Sequence, residues 1–143
     1  MIRFFNKDIK FALKDKLILK KWIKATVASY NCEVGDLNVI LCDDPSILEI
    51  NKQFLGHNYY TDIITFDYTE DEIINGELYI SIDTVKENAV EYGQNFPDEL
   101  HRVIIHGVLH LCGLDDHEED DIKEMRQAED IALDQLHSLL NKQ

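Results

Sequence analysis

Apolar side chains along this chain change their spacing several times, and each change marks an element. IRFF near the start reads as a strand. DKLILKKWIKATVASY then sets Leu17, Trp22, Ile23 and Val27 near helical spacing with lysines on the other face. LNVILC alternates with the period of a half-buried strand, and Asp44 followed by Pro45 reads as a helix cap with proline in the first turn, the helix ending near Gly56. DIITFDY and ELYISI are β-branched and aromatic runs on either side of TEDEIINGE, so they predict two strands that could pair as a hairpin. Asp83 or Thr84 is placed to cap a helix that Gly93 closes, and Pro97-Asp98-Glu99 to open another. From Glu118 onward, Ile122, Met125, Ala132, Leu136 and Leu140 trace one apolar stripe on a long last helix. Strand, helix, strand, helix, paired strands and then helices predict an α+β domain, a small mixed sheet covered by helices.

The chain of 143 residues is long enough for one core of ordinary size, and it has no repeat, no low-complexity tract and no linker to divide it. A single domain over 1–143 is the expectation. No apolar run approaches the roughly 20 residues that cross a bilayer. The opening MIRFFNKDIKF also lacks a signal peptide's apolar stretch, so a cytoplasmic location is expected. Cys32, Cys42 and Cys112 are odd in number and never spaced as paired metal ligands, which predicts small buried hydrophobes rather than a disulfide framework or a cysteine zinc cage.

Charge is uneven. Residues 1–24 carry eight basic side chains against Asp8 and Asp15, a local +6, which leaves −20 for the rest of a chain whose net charge is −14. The acidic total argues against nucleic acid as a partner, but the basic segment keeps open a phosphate-docking stripe on Lys16, Lys20 and Lys24 beside the plainer reading of a solvated helix face.

The chemistry gathers in HGVLHLCGLDDH, residues 106–117. On a helix opening near Pro97, Leu100, Ile104, Gly107 and Leu111 form the core-facing stripe, and His106 and His110 lie one turn apart at its edge, able to reach one point. Gly113 should stop the helix in a left-handed turn and bring Asp116 or His117 back towards that point. Three ligands with one open position is the pattern of catalytic zinc, whereas structural sites are closed by four. Cys112 follows His110 by two residues and points to another face. Zinc peptidases carry a glutamate directly after the first histidine as general base, and that position here is Gly107, so peptide hydrolysis is a poor fit.

HGVLHLCGLDDH resembles the signature of the YbeY family of metal-dependent, single-strand-specific endoribonucleases. NKQFLGHNYYTDIITFDY, residues 51–68, resembles that family's second block with Asn51, Thr61, Asp62 and Phe66 in register. GELYISIDTVKENAVEYG, 76–93, resembles a third. The resemblance implies a zincin-like hydrolase fold and a bacterial cytoplasmic enzyme holding one zinc on three ligands. It further implies action on single-stranded RNA, in maturation of the 3′ end of 16S ribosomal RNA and quality control of the small ribosomal subunit, with neither DNA nor a membrane as partner.

Two departures stand out. With five residues between it and the second histidine, the family's last ligand falls on Asp116, while His117 is one later; register points to Asp116, and the general preference of metals for imidazole keeps His117 open. Leu55 stands where the family commonly carries an arginine thought to serve catalysis by stabilising transition-state charge. His57, two residues on, is a candidate substitute, the alternative being an exposed loop histidine. Asp62 is a second catalytic candidate, orienting a ligand histidine, unless Thr61-Asp62 makes only local turn bonds. The Leu55 departure also admits a zinc-containing assembly factor without catalysis, and the acidic charge a metal-dependent hydrolase of another substrate.

Overall fold

A computed structural model describes residues 1–56 and 61–142. Its elements run β1 (Ile2–Asn6), α1 (Lys16–Ser29), β2 (Glu33–Cys42), α2 (Asp44–Leu55), β3 (Ile63–Asp67), β4 (Ile73–Ser81), α3 (Ile82–Glu91), α4 (Phe96–Leu111) and α5 (Glu119–Asn141). The strands form one sheet in the order β1-β2-β4-β3. β1, β2 and β4 are parallel, because helices carry the chain between them. β3 turns back as an antiparallel partner of β4, Ile63 opposite Ile80 and Asp67 opposite Gly76, and forms one edge. The α+β class and the β3–β4 pairing expected from the pattern are both present.

Helices cover the two sheet faces unequally. Leu37, Val39 and Leu41 of β2 and Leu78 and Ile80 of β4 pack with α1, α4 and α5 in the main core, where Trp22 Nε1 donates to the Ala132 carbonyl at 2.7 Å and ties α1 to α5. The other face carries a smaller cluster, Cys42 and Ile64 against Ile47 and Ile50 of α2. The end of β2 is therefore buried on both sides, and its side chains stop alternating there. Where α4 crosses the sheet its backbone comes close: a Cβ on Gly107 would lie 2.8 Å from Ile63 Cδ1 and 2.9 Å from Leu78, so any side chain there would have to displace these side-chain ends.

Several local expectations shift. Asp43, not Asp44, caps α2, its carboxylate accepting from Ser46 N–H at 2.9 Å; Asp44 and Pro45 already lie in the first turn, where proline's missing N–H is harmless. Ser81 caps α3 in place of Asp83 or Thr84, since β4 runs straight into the helix, and Asp83 accepts instead from the Asp44 N–H at 3.0 Å. Leu17 is 76% exposed, and Leu19 takes its place in the core beside Trp22, Ile23 and Val27. Ile122 is exposed as well, and the α5 stripe contains a buried Glu129 among Met125, Ala132 and Leu136. Of the cysteines only Cys42 is fully buried; Cys32 and Cys112 are half-buried, and all three are free.

Candidate metal centre

α4 is well specified by its own sequence. Asn95 caps it by accepting from Asp98 N–H at 2.9 Å, Pro97 lies in the first turn, and Asp98 and Glu99 face the positive end of the helix dipole. Leu100, Ile104, Gly107 and Leu111 face the core, which leaves His106 and His110 half-buried at the helix edge. After Leu111 the chain closes as a Schellman turn: Gly113 N–H donates to His110 O at 3.0 Å and Leu114 N–H to Leu109 O at 3.1 Å, with Gly113 at φ 102°. That reversal returns Asp116 to the histidines.

The result is a triangle of donors. His106 Nε2 lies 3.4 Å from Asp116 Oδ2 and His110 Nε2 3.4 Å from Asp116 Oδ1, with the two rings edge to face at 4.7 Å between centroids. Ligand atoms from the three residues all fall within 4.8 Å of one another. His117, by contrast, is 80% exposed and turns its Nε2 to Asp115 Oδ1 at 3.3 Å. Asp115, Asp116 and His117 make a second group of possible donors, exposed at both outer members.

His106 is held from behind. Its Nδ1 lies 2.7 Å from Glu129 Oε2 on α5, and the other oxygen of Glu129 accepts from Arg102 Nη1 at 2.8 Å. Burial acts to lower the His106 pKa, but the bond to Glu129 and the charges of Glu129, Asp116 and Asp62 outweigh it and raise the value. Burial would likewise raise Glu129, yet its bonds from His106 and Arg102 keep the carboxyl below its ordinary value.

A cleft of about 640 Å³ opens in front of the triangle, walled by the end of α2, by β3 and by the turn after Gly113. Asp62, Asp67, Asp115 and Asp116 line it together with both histidines, and among its described lining residues there is no lysine or arginine. Leu55, 46% exposed, lines it where the resemblance would have an arginine. A smaller cavity of about 360 Å³ lies behind His106 towards α3 and α5, with Asp62, Glu99 and Glu129 in its wall. None of the basic residues of the N-terminal segment lines either cavity; Lys7 borders a separate groove beside α2.

Of the residues singled out in the sequence, His106, His110 and Asp116 come together, and His117 pairs with Asp115 instead. Asp62 reaches both cavities, and burial, opposed chiefly by His106, pushes its carboxyl above the ordinary range. Among the described residues it bonds no histidine: its side chain accepts from Asn88 Nδ2 at 3.5 Å, its backbone carbonyl takes the Ser81 N–H at 2.9 Å, and the carboxylate bonded to His106 is Glu129. Thr61 Oγ1 makes only a local contact with the Ile63 carbonyl, at 3.4 Å. His57 lies outside the described residues. Sequence reasoning passed over Glu129; the one signal was a charged residue in phase with the apolar stripe of α5. Gly107 also gains its reason: the position of a peptidase glutamate is occupied here by the sheet itself.

A family model described as Endoribonuclease YbeY matches residues 2–137. Relatives named Endoribonuclease YbeY include one from Parabacteroides distasonis, 46% identical over 92% of this chain and 93% of its own. Another, from Porphyromonas gingivalis, is 44% identical over 99% and 94%. The solution structure of TM1509 from Thermotoga maritima superimposes with a TM-score of 0.71 at 32% identity, covering 99% of this chain and 93% of that one. The three sequence blocks are thus parts of one continuous likeness, and this chain belongs to the YbeY family of endoribonucleases.

Proposed function

We propose that this protein is a zinc-dependent, single-strand-specific endoribonuclease of the cytoplasm, cleaving phosphodiester bonds in 16S ribosomal RNA 3′-end maturation and in quality control of the small ribosomal subunit. The observation that carries the metal is the His106–His110–Asp116 triangle. Two imidazole nitrogens and a carboxylate suit zinc, and ligand atoms of all three residues lie within 4.8 Å of one another. One zinc per chain is expected, with His117 outside the ligand set because its ring is exposed and paired with Asp115. Held there, zinc would supply a Lewis acid able to polarise a phosphoryl oxygen and acidify a water.

The chain's own groups shape the rest. Asp62, buried in the cleft wall with its carboxyl raised, is our candidate to take up or hand on a proton during cleavage. The four aspartates of the cleft repel phosphate. An unpaired strand brings one backbone past them, whereas a duplex brings two, which supports a single-stranded substrate. Family membership favours nuclease activity over a metal-pinned assembly factor or a hydrolase of another substrate.

The test is to incubate zinc-loaded protein with single-stranded and duplex RNA of one sequence, and with small subunits bearing unprocessed 16S 3′ ends, beside His110→Ala. Internal cleavage of the single strand and shortening of the 3′ ends, both lost in the variant, are expected. Binding of the immature subunits without cleavage would overturn the enzyme reading.

A further inference from the structure

We infer that Glu129 is a positioning residue of the metal centre: its carboxylate holds the His106 ring with the proton on Nδ1, so that the Nε2 lone pair faces His110 and Asp116. The inference rests on the reading that this triangle holds a metal. An imidazole offers a metal only the nitrogen that carries no proton, and which nitrogen that is depends on the partner of the other. At 2.7 Å from His106 Nδ1 stands a carboxylate oxygen of Glu129, whose other oxygen takes the Arg102 guanidinium; a carboxylate paired in this way accepts, so Nδ1 is the donor. Nε2, on the side of Asp116, is left free of a proton whenever the ring is neutral.

Glu129 is itself immobilised. Its side chain is 7% exposed, Oε1 takes Arg102 Nη1 at 2.8 Å, and the same guanidinium reaches Asp130 Oδ1 at 2.7 Å through Nη2. The carboxylate therefore cannot turn towards water without breaking a bond to Arg102. The same geometry excludes Glu129 as a general base, because both oxygens are engaged and it sits on the Nδ1 side of the ring, away from the point shared by the three donors. A buried ion pair is weak evidence of stability by itself, since an apolar residue on the α5 stripe would avoid desolvating the charge. A carboxylate behind a ligand histidine is what fixes ring orientation and raises ligand basicity. Among the described residues, His110 Nδ1 has no such partner, so His106 is the ring whose orientation α5 sets.

The experiment compares wild type with Glu129→Gln, which keeps the shape and loses the charge, and with Glu129→Leu, which cannot accept a bond. Zinc affinity from chelator competition should fall about 10-fold in the first and about 100-fold in the second, the span usual for such partners. In side-chain nitrogen–proton NMR of the zinc-loaded protein, the Nδ1 proton of His106 should be downfield and slow to exchange, move upfield in Glu129→Gln and exchange freely in Glu129→Leu. A merely structural glutamate would lower the melting temperature and leave both readouts in place. If Glu129→Leu fails to fold, the isosteric variant carries the test, and a folded Glu129→Gln with unchanged zinc affinity and an unchanged proton overturns the inference. A wild-type chain that binds no zinc removes the metal reading and this inference with it.

Discussion

α4 presents two faces, and a histidine lies on each. His101 is buried against Trp22, the rings 6.2 Å apart and steeply inclined, and among the described residues its Nδ1 has no hydrogen-bond partner. Burial lowers its pKa against the pull of Asp98 and Asp15, and the ring packs as an aromatic core residue. Five positions on, His106 is 22% exposed and faces carboxylates on both nitrogens, Glu129 behind and Asp116 in front, and its pKa moves the opposite way. One residue type on one helix thus takes opposite roles. What differs is what other elements bring to it: α1 brings an indole, while α5 and the turn after Gly113 bring carboxylates.

Substitutions on the two faces should therefore fail differently. The largest expected effect is on the cleft face: His106→Ala or His110→Ala should abolish stoichiometric zinc and RNA cleavage, and in His110→Ala the melting temperature of the metal-free protein should stay near wild type. Asp116→Ala should lose zinc as well, and His117→Ala should keep it; zinc lost from His117→Ala and kept by Asp116→Ala would reverse the ligand assignment. On the core face, Gly107→Glu should damage the fold, because its Cβ meets Ile63 and Leu78 at under 3 Å and its charge would be buried. Gly107→Ala alone should lower unfolding stability by about 1–3 kcal/mol, read by urea denaturation, with residual zinc binding in whatever remains folded. A peptidase activity gained by Gly107→Glu would contradict the packing described here.

Smaller effects sharpen the same contrast. Leu55→Arg sets a guanidinium at the cleft wall, where no described residue supplies one, and should raise the cleavage rate by about 10-fold or more without changing stability. An unchanged rate would mean that the charge developing in the transition state lies beyond reach of this position. The smallest change is expected from His101→Phe, which keeps a ring against Trp22. With a folded pKa below the unfolded value of about 6.5, His101 in wild type loses stability as pH falls through the unfolded pKa towards the lower folded one, since the unfolded chain takes up the proton first. His101→Phe should make unfolding free energy flatter between pH 7 and 5. An equally steep dependence would place that loss on groups other than His101.

Much of the site was legible without coordinates. The i, i+4 histidines, the glycine that ends α4, the strand pair β3–β4 and the three family blocks are local patterns, governed by neighbours within a turn of helix or by strand alternation. Choices one residue apart were harder. Asp43 replaces Asp44 and Ser81 replaces Asp83 as caps because the cap depends on where the preceding strand releases the chain, which periodicity does not register. Leu17 and Ile122 satisfy helical spacing and still face solvent, because the sheet and the neighbouring helices cover only part of each apolar arc.

By itself, then, the sequence determined that a helix carries two histidines one turn apart, that a glycine reversal follows them, and to which family the chain belongs. Only the tertiary structure decided that Asp116 and not His117 turns back to them, that His101 belongs to the core, that Gly107 is pressed on the sheet, and that the N-terminal lysines lie away from an acidic cleft. It also supplied the carboxylate behind His106 from a residue 23 positions later in the chain. The reason is range: capping and periodicity are set by contacts a few residues apart, whereas the partner of a side chain depends on which face of which distant element the hydrophobic core presses against it.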